Sequence, residues 1–455
     1  MKTIVHSLLI TAMIVTIMSC EALSQEKKYY SIEECARIGI DNSFKLKAHD
    51  SRIVQNDAKV RETLATNNPS VSISGSSTYQ RPQVMFGLPI TLPGIPTLEG
   101  IIVPEWYHTY NIAVNKLITS FGKVEAAARV TQAGDLQYKA QQRIDQDSLL
   151  FDIVRGYYNV ILSRQLVEIA KAQEKLWKEH YKISESMYKR GTVAKYDLLR
   201  VHVSLTQARE QHVTSLKDLE VARGSLRTLM GLPISTIIGD IEDQPFWADS
   251  EKEKMELPIE HWREKARQNS SAIHLGKAAR LQGVYALDLA VLDNAPTLSF
   301  QTNYARLTKT MFGEDWSWQN TFALSIPISD GGQKSARITQ AKELIAQADL
   351  NIRDTERNVL WNVEKSYLDL HELQIKIKTA EEQLDVAKEG SRVANIRYKA
   401  GIGTIVELTD AESNLVKAEV NLRQAYCSYY IQMAALSYNS GILYDDIFMS
   451  GRKGE

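Results

Sequence analysis

Apolar or small side chains recur at alternating steps of three and four along two stretches in the second half of the chain. The first stretch contains Leu370, Leu373, Ile377, Ala380, Leu384, Ala387, Ser391, Ala394 and Tyr398, and the second contains Leu408, Ala411, Leu415, Ala418, Leu422 and Ala425. This spacing predicts two helices that pack along a coiled-coil seam. An ordinary helical bundle with short loops would have the same seam. However, about 65 residues without a proline precede residue 398, and as one helix they would reach roughly 95 Å. This length favours a long helical hairpin.

The link between these two helices has a counterpart earlier in the chain. Tyr398-Lys399-Ala400-Gly401 is followed by Glu407-Leu408, and Tyr188-Lys189-Arg190-Gly191 is followed at the same spacing by Asp197-Leu198. The agreement continues along the next helix, which indicates an internal duplication. Gly191, Gly401 and Gly403 are the predicted hairpin-tip turns, because glycine allows the backbone conformations that a reversal between helices needs.

Strict alternation of polar and apolar residues replaces the helical pattern in four shorter stretches, residues 70–79, 106–118, 298–304 and 316–328. This alternation predicts strands with one apolar and one polar face. Most of them have roughly the length that crosses a bilayer in a tilted barrel, although a small soluble sheet would show the same alternation. Several aromatic residues fit a girdle at a membrane interface, namely Trp106, Tyr107, Tyr110, Trp316 and Trp318.

The repeats divide the chain into five parts. We expect a signal peptide (residues 1–24), a first repeat (25–230), a linker (231–257), a second repeat (258–440) and a C-terminal tail (441–455). Each repeat should run helix, strand, strand, long helix, tip and returning helix. Residues 31–66 should form one helix or two, and residues 81–105 a loop rich in proline and glycine.

The N-terminus predicts export, because Lys2 precedes a short apolar run over residues 4–18. Two processing routes remain open: cleavage after Ser24, or a lipoprotein signal in which Cys20 is acylated. Cys35 and Cys427 are then the other cysteines of the chain. In an oxidising compartment they either pair or remain buried free thiols.

The formal net charge is −1, and basic and acidic residues are interleaved rather than clustered. This distribution gives no sign of nucleic-acid binding. With 44% hydrophobic residues, the chain can bury a sizeable core. We expect no enzymatic activity, no cofactor and no metal site, because no catalytic or phosphate-binding motif is present. His202 and His212 are expected to have structural or solvated roles.

Four strands are too few to close a membrane barrel, since bacterial barrels begin at about eight strands. Open strands in lipid would leave unpaired backbone groups in hydrocarbon, which is not tolerated. We therefore expect several chains to share one barrel, and three chains would supply twelve strands.

Taken together, the duplicated tips, the proline-initiated strands and the segment Ile326-Pro327-Ile328-Ser329-Asp330-Gly331-Gly332 resemble those of the TolC-type outer-membrane efflux proteins. The resemblance covers nearly everything after the signal peptide. It implies a homotrimer with a twelve-stranded barrel in the lipid of the outer membrane and a helical tunnel in the periplasm. It also implies a passive exit duct for tripartite efflux or type I secretion, with a periplasmic adaptor and an inner-membrane pump as partners. A periplasmic coiled-coil adaptor or scaffold is the alternative.

The resemblance also suggests roles for residues near the second tip. The acidic rings that narrow the tunnel entrance would fall on Glu407 and Asp410. Of the contacts that hold the tips closed, Tyr398 and Asp197 match two family positions. Gly403 occupies the position of a family arginine, so the salt bridge of that arginine cannot form here.

Overall fold

The structure is a computed structural model that describes residues 30–82, 84–87, 99–103, 105–236, 241, 257–307 and 316–449. Its helices are α1 (Ile32–Asn42), α2 (Phe44–Ala65), α3 (Lys123–Lys189), α4 (Lys195–Leu229), α5 (Ile259–Asn269), α6 (Ser271–Val291), α7 (Gln333–Lys399), α8 (Ile405–Asn439) and α9 (Leu443–Met449). Its strands are β1 (Ser70–Tyr79), β2 (Val84–Gly87), β3 (Glu99–Val103), β4 (Trp106–Thr119), β5 (Thr297–Leu307) and β6 (Trp316–Ser325). The predicted signal peptide with Cys20, most of the linker and the basic end of the tail lie outside the described residues.

The two long helices predicted from the heptad pattern are present. Helices α3 and α7 each contain 67 residues, which corresponds to about 100 Å at the rise of an α-helix. Each is followed by a returning helix of 35 residues, α4 or α8. Every predicted seam position on α7 and α8 is buried or half-buried. The coiled-coil prediction is therefore confirmed.

Residues 31–66 form two helices, α1 and α2, separated at Ser43, whose backbone is extended. Helix α1 begins with a capping box. The Ser31 hydroxyl accepts a hydrogen bond from the backbone N–H of Glu34, and the Glu34 carboxylate accepts one from the backbone N–H of Ser31. Among the described residues, no helix is both long and apolar enough to cross a membrane.

Four strands form one antiparallel sheet in the order β1-β4-β5-β6. The strand register places Ile73, Ile112, Tyr304 and Trp318 in one row across the sheet. Neighbouring rows on that face are mainly apolar, and the opposite face is lined by residues such as Ser72, Asn303 and Gln319. The predicted division into an apolar and a polar face is confirmed.

The aromatic residues gather at one end of this sheet, where β1 and β5 end and β4 and β6 begin. The rings of Tyr79 and Trp106 lie 5.0 Å apart, and those of Tyr304 and Trp316 lie 6.3 Å apart. Trp318 leaves 67% of its surface exposed. Among the described residues, side chains on the apolar face such as Ile73 and Trp318 thus remain largely exposed.

Two details of the strand predictions were wrong. The predicted loop at residues 81–105 contains the antiparallel strands β2 and β3. The β-branched residues at its two ends can pair across the turn-forming residues between them. The fourth strand ends at Ser325 rather than at residue 328, because Pro327 cannot donate to a ladder and β5 begins at Thr297, the partner of Ser325.

The compact units of the structure do not coincide with the sequence repeats. One unit contains Met1–Ala48, Gln142–Ser271 and Glu356–Glu455, and the other contains His49–Gln141 and Ala272–Thr355. Each unit draws on both halves of the chain. The duplication therefore remains a sequence interpretation, and neither repeat forms a compact unit by itself.

The first unit has a hydrophobic core to which α1, α3, α5, α8 and α9 contribute. The first part of the predicted tail forms α9, which buries Leu443 and Ile447 in this core. Cys35 and Cys427 both belong to the core and are free thiols, so the disulfide alternative is not realised. Burial raises the pKa of Cys35 to about 12 and that of Cys427 to about 11.

The second unit contains the four-stranded sheet and the helix ends that follow its strands. Asp330 connects β6 to α7: its carboxylate accepts hydrogen bonds from the backbone N–H groups of Gly332 and Lys334 and from the Asn294 amide. Asp293 forms ion pairs with Lys123 at the start of α3 and with Arg337 on α7. These contacts fix where the long helices begin relative to the sheet.

Candidate functional site

The two hairpin tips close in the same way, as their shared sequence predicts. In the first tip, the backbone N–H of Thr192 donates to the carbonyl of Met187; in the second, the N–H of Ile402 donates to the carbonyl of Arg397. This bond characterises a Schellman motif, which needs a left-handed residue just after the helix. Gly191 and Gly401 supply it, each with φ of +75°. Both glycines thus lie in the turns between the helices.

Gly403 acts differently from the other two glycines. It has no positive φ, but a Cβ atom at this position would lie 2.9 Å from the Cβ of Arg397. The next residue, Thr404, caps α8 by accepting a hydrogen bond from the backbone N–H of Glu407. The matching residue of the first tip, Ala194, provides no side-chain cap.

Behind the tips lies a small cluster of buried side chains, here called the tip core: Trp177, Val201, Leu205, Ala208, Tyr398, Ile405 and Leu408. All four helices of the two hairpins contribute to it. Trp177 belongs to this core, and the half-buried Tyr181 packs against it. The tip core is therefore where the first hairpin meets the second.

One hydrogen bond crosses between the hairpins inside the tip core. The hydroxyls of Tyr398 on α7 and Ser184 on α3 lie 2.6 Å apart. Ser184 is 0% exposed and Tyr398 is 3% exposed. Asp197, which the resemblance also assigns to the contacts between the tips, makes no hydrogen bond to Tyr398. Burial raises the pKa of the Tyr398 phenol, and the nearby negative charge of Asp197 adds to this rise.

A histidine that the sequence interpretation passed over lies one turn from Ser184. His180 is 1% exposed, and neither of its ring nitrogens has a hydrogen-bond partner. Its ring packs edge-on against Trp177, with 5.5 Å between centroids. An unsatisfied buried polar group costs about 1–3 kcal/mol. The sequence does contain a signal that His180 is buried: residues 177, 180, 184 and 187 follow the same steps of three and four as the other seams. All four are buried in the structure.

The surroundings of His180 oppose a positive charge. Burial and, to a lesser extent, the Lys399 ammonium lower its pKa to about 4, against the opposing effect of Glu179. The imidazole is therefore neutral at pH 7. This combination of burial, missing partners and position between two hairpins occurs at no residue that the sequence interpretation selected.

The two predicted ring carboxylates lie at the start of α8, and both are exposed. Glu407 lies 3.6 Å from the Arg397 guanidinium on α7. This exposed pair contributes little stability, but it partly balances the Glu407 charge. Asp410 lies one turn further along α8. Asp410 thus carries the less compensated charge of the two.

A third carboxylate in this region is buried. Glu412 is 1% exposed and accepts a hydrogen bond of 2.8 Å from Ser391 on α7, while its other oxygen has no partner. Burial raises its pKa, and the Ser391 hydrogen bond acts against that rise. Glu412 therefore resists ionisation.

The other two histidines of the first hairpin contact neighbouring side chains. The Nδ1 atom of His212 lies 2.7 Å from the Glu174 carboxylate, and the exposed His202 packs against Tyr181 with 5.2 Å between ring centroids. In the part of the chain that the structure describes, no group of three or more His, Cys, Asp or Glu residues is placed to hold a metal ion.

A protein-family model described as outer membrane efflux protein matches residues 39–232 and 262–441. These two ranges cover most of the chain and correspond closely to the two predicted repeats. This chain belongs to that family. The predicted family and its outer-membrane localisation are therefore confirmed.

Known sequences similar to this outer membrane efflux protein include secretion and efflux components. The alkaline protease secretion protein AprF of Pseudomonas aeruginosa is 22% identical over 310 residues, which are 66% of this chain and 63% of that protein. The outer membrane protein TolC of Vibrio cholerae is 21% identical over 346 residues, 74% of this chain and 76% of that protein.

Solved structures of similar fold cover more of this family member. The crystal structures of CusC match 90% of this chain and 92% of that chain, with a TM-score of 0.70 and 16% identity. The open state of the Neisseria gonorrhoeae MtrE outer membrane channel matches 90% of this chain and 89% of that chain, with a TM-score of 0.67 and 17% identity. These matches confirm the predicted fold class of long helices combined with a four-stranded sheet.

Proposed function

We propose that three copies of this chain form an outer-membrane channel that serves as a passive exit duct. Membership of the outer membrane efflux protein family supports this function. The duct performs no chemistry, so its cargo moves with energy supplied elsewhere. What remains for the chain is to cross the membrane, to enclose a passage and to close that passage at one end.

The observation that carries the proposal is the four-stranded sheet. Within the described residues, β1 and β6 each pair on one side only. Lipid tolerates neither free strand edges nor a polar face, so the edges pair with those of neighbouring chains and the polar face lines water. Twelve strands from three chains meet both requirements. The apolar face with Tyr110, Trp316 and Trp318 then faces lipid and its headgroups.

Exposed seams on the helices support the same assembly. On α7, Trp361, Leu368 and Ile375 follow one another at steps of seven, and between 56% and 70% of their surface is exposed. On α4, Tyr196 and Val203 are also exposed and lie one heptad apart. A heptad stripe without a partner inside the chain is suited to packing against a helix of another subunit.

The tips supply the gate in this proposal. Glu407 and Asp410 of three chains form acidic rings at the entrance, and the buried contact between Tyr398 and Ser184 holds the two hairpins of each chain together. The negative charge of Asp197 acts on the Tyr398 hydroxyl in that contact. The exposed tip turns at Gly191 and Gly401 receive a periplasmic adaptor, which links the duct to an inner-membrane pump.

The names of similar proteins include both alkaline protease secretion and antibiotic efflux. A passive duct accommodates both, since selection then lies with the pump. We therefore propose a conduit of tripartite efflux or secretion systems and assign no single cargo.

The decisive experiment is the mass of the folded protein extracted from membranes in detergent. We expect a trimer without a stable folded monomer, found in the outer-membrane fraction. A folded, monodisperse monomer would overturn the shared barrel. Recovery in the soluble periplasmic or inner-membrane fraction would instead support the alternative adaptor or scaffold.

A further inference from the structure

One titratable side chain beside the tip core is not explained by packing alone. His180 occupies a seam position between Trp177 and Ser184, where an apolar residue would pack without any polar cost. Neither of its nitrogens is satisfied by another group. His180 lies one helical turn before Ser184, whose hydroxyl contacts that of Tyr398. A movement of His180 would therefore disturb this contact between the hairpins.

The charged groups around His180 act on its protonation in opposite directions. From α7, Lys399 opposes a positive charge on the ring, and from α3 itself Glu179 favours one. From α4, Asp197 acts on the neighbouring Tyr398. The residues that α8 contributes to the tip core are apolar. Burial is the largest of these influences on the pKa of His180. When the hairpins separate, water reaches the ring and the effect of burial is lost.

We propose that His180 is an acid-sensitive release for the tips: it is accommodated as a neutral ring when the hairpins are packed, and its protonation separates them. This inference rests on the proposed function in taking the tips as the channel entrance. The switch itself is a property of the two hairpins and can be observed without conduction.

The direction and size of the effect follow from linkage. The pKa of His180 is about 4 in the packed state, and an exposed histidine titrates near 6.5. The packed state therefore has its full stability above pH 6.5, and this stability decreases as the pH falls from 6.5 towards 4. At pH 5 the ratio of packed to separated tips should be about 30-fold lower than at pH 7.5.

The test measures the complete protein at pH 7.5 and pH 5.0 by two readouts. Single-channel recording in planar bilayers gives the ratio of open to closed states. Hydrogen exchange, corrected for the intrinsic effect of pH, reports the protection of residues 177–205 and 394–412. We expect acid to raise the open fraction and to reduce protection in the natural protein, and His180→Leu to remove both responses.

Two further variants separate this site from other titrating groups. His202→Leu removes an exposed histidine of the same hairpin and should leave the acid response unchanged. His180→Gln keeps a neutral polar side chain and should behave like His180→Leu, which guards against a packing defect specific to leucine.

The two readouts fail independently. Acid loosening that depends on His180 in a protein that does not conduct would support the switch and count against the duct. Conduction whose acid response persists in both His180 variants, or that shows none in the natural protein, would overturn the switch and leave the duct standing.

Discussion

The contact between Tyr398 and Ser184 allows a quantitative test of how the hairpins are held together. Tyr398→Phe removes one hydroxyl, Ser184→Ala removes the other, and the double variant removes both. The two hydroxyls lie 2.6 Å apart in a buried setting and connect residues 214 positions apart in sequence. None of these substitutions adds volume, so the tip core should keep its packing.

Each single substitution leaves a buried hydroxyl without its partner. This costs about 1–3 kcal/mol, which corresponds to a change of about 5- to 150-fold in the equilibrium between packed and separated tips. The double variant leaves no orphaned hydroxyl, so its effect should be smaller than the sum of the two single effects. The coupling in the cycle should therefore be about 1–3 kcal/mol, as expected for residues in direct contact.

The assay is single-channel open probability, with hydrogen exchange of the tips as a second measure of the same equilibrium. The duplication provides a matched control in Tyr188→Phe, because Tyr188 holds the equivalent position in the first tip but is 41% exposed. This control should change neither readout by more than a few tenths of a kcal/mol.

Additive single effects would refute the reasoning, since they would mean that the two hydroxyls do not act through each other. An effect of Tyr188→Phe as large as that of Tyr398→Phe would also refute it, because the loss would then not depend on burial.

Three further predictions concern other parts of the chain. Gly401→Val should cost about 1–2 kcal/mol through backbone strain alone, since φ is +75° and nothing lies within 4 Å of the added Cβ. Cross-linking of the adaptor to the tip should therefore weaken. Gly390→Val changes a glycine at an open helical position and should leave the cross-linking unchanged. Glu407→Gln combined with Asp410→Asn should abolish cation selectivity and block by trivalent cations in planar bilayers, with Asp410→Asn the more effective single change; selectivity that survives the double substitution would place the constriction elsewhere. Burial raises the pKa of Asp147 from 3.8 to about 6, so its ionisation destabilises the folded state increasingly as the pH rises from 3.8 to about 6. Asp147→Asn should therefore stabilise the protein by about 3 kcal/mol at pH 8. This advantage should shrink towards pH 4 in denaturation experiments, and an equal gain at both pH values would contradict this.

Local periodicity was enough to predict the main elements. Steps of three and four residues require a helix with one apolar seam, and strict alternation requires a strand with two different faces, whatever the rest of the chain does. The tips were equally predictable, because the left-handed residue of a Schellman motif is usually glycine, and Gly191 and Gly401 follow the helices directly. Repetition of the same pattern in both halves strengthened each of these predictions.

Local periodicity failed where short segments depend on distant partners. Strands β2 and β3 lie among proline and glycine residues, and α9 follows the last seam with only seven residues. Neither segment is long enough for a periodic signal, and pairing or burial in the core of the first unit decides their structure.

Which side chains contact each other in the candidate gate depends on the tertiary structure alone. The resemblance suggested Tyr398 and Asp197 for contacts at the tips, and the structure places the hydroxyl of Ser184 beside that of Tyr398. The sequence placed Glu407 in an acidic ring, and the structure sets Arg397 beside it. A periodic pattern records which face of a helix is buried, but not which side chain of another helix lies opposite. Hydrogen bonds and charges act over a few ångströms, so their partners exist only once the two hairpins have packed.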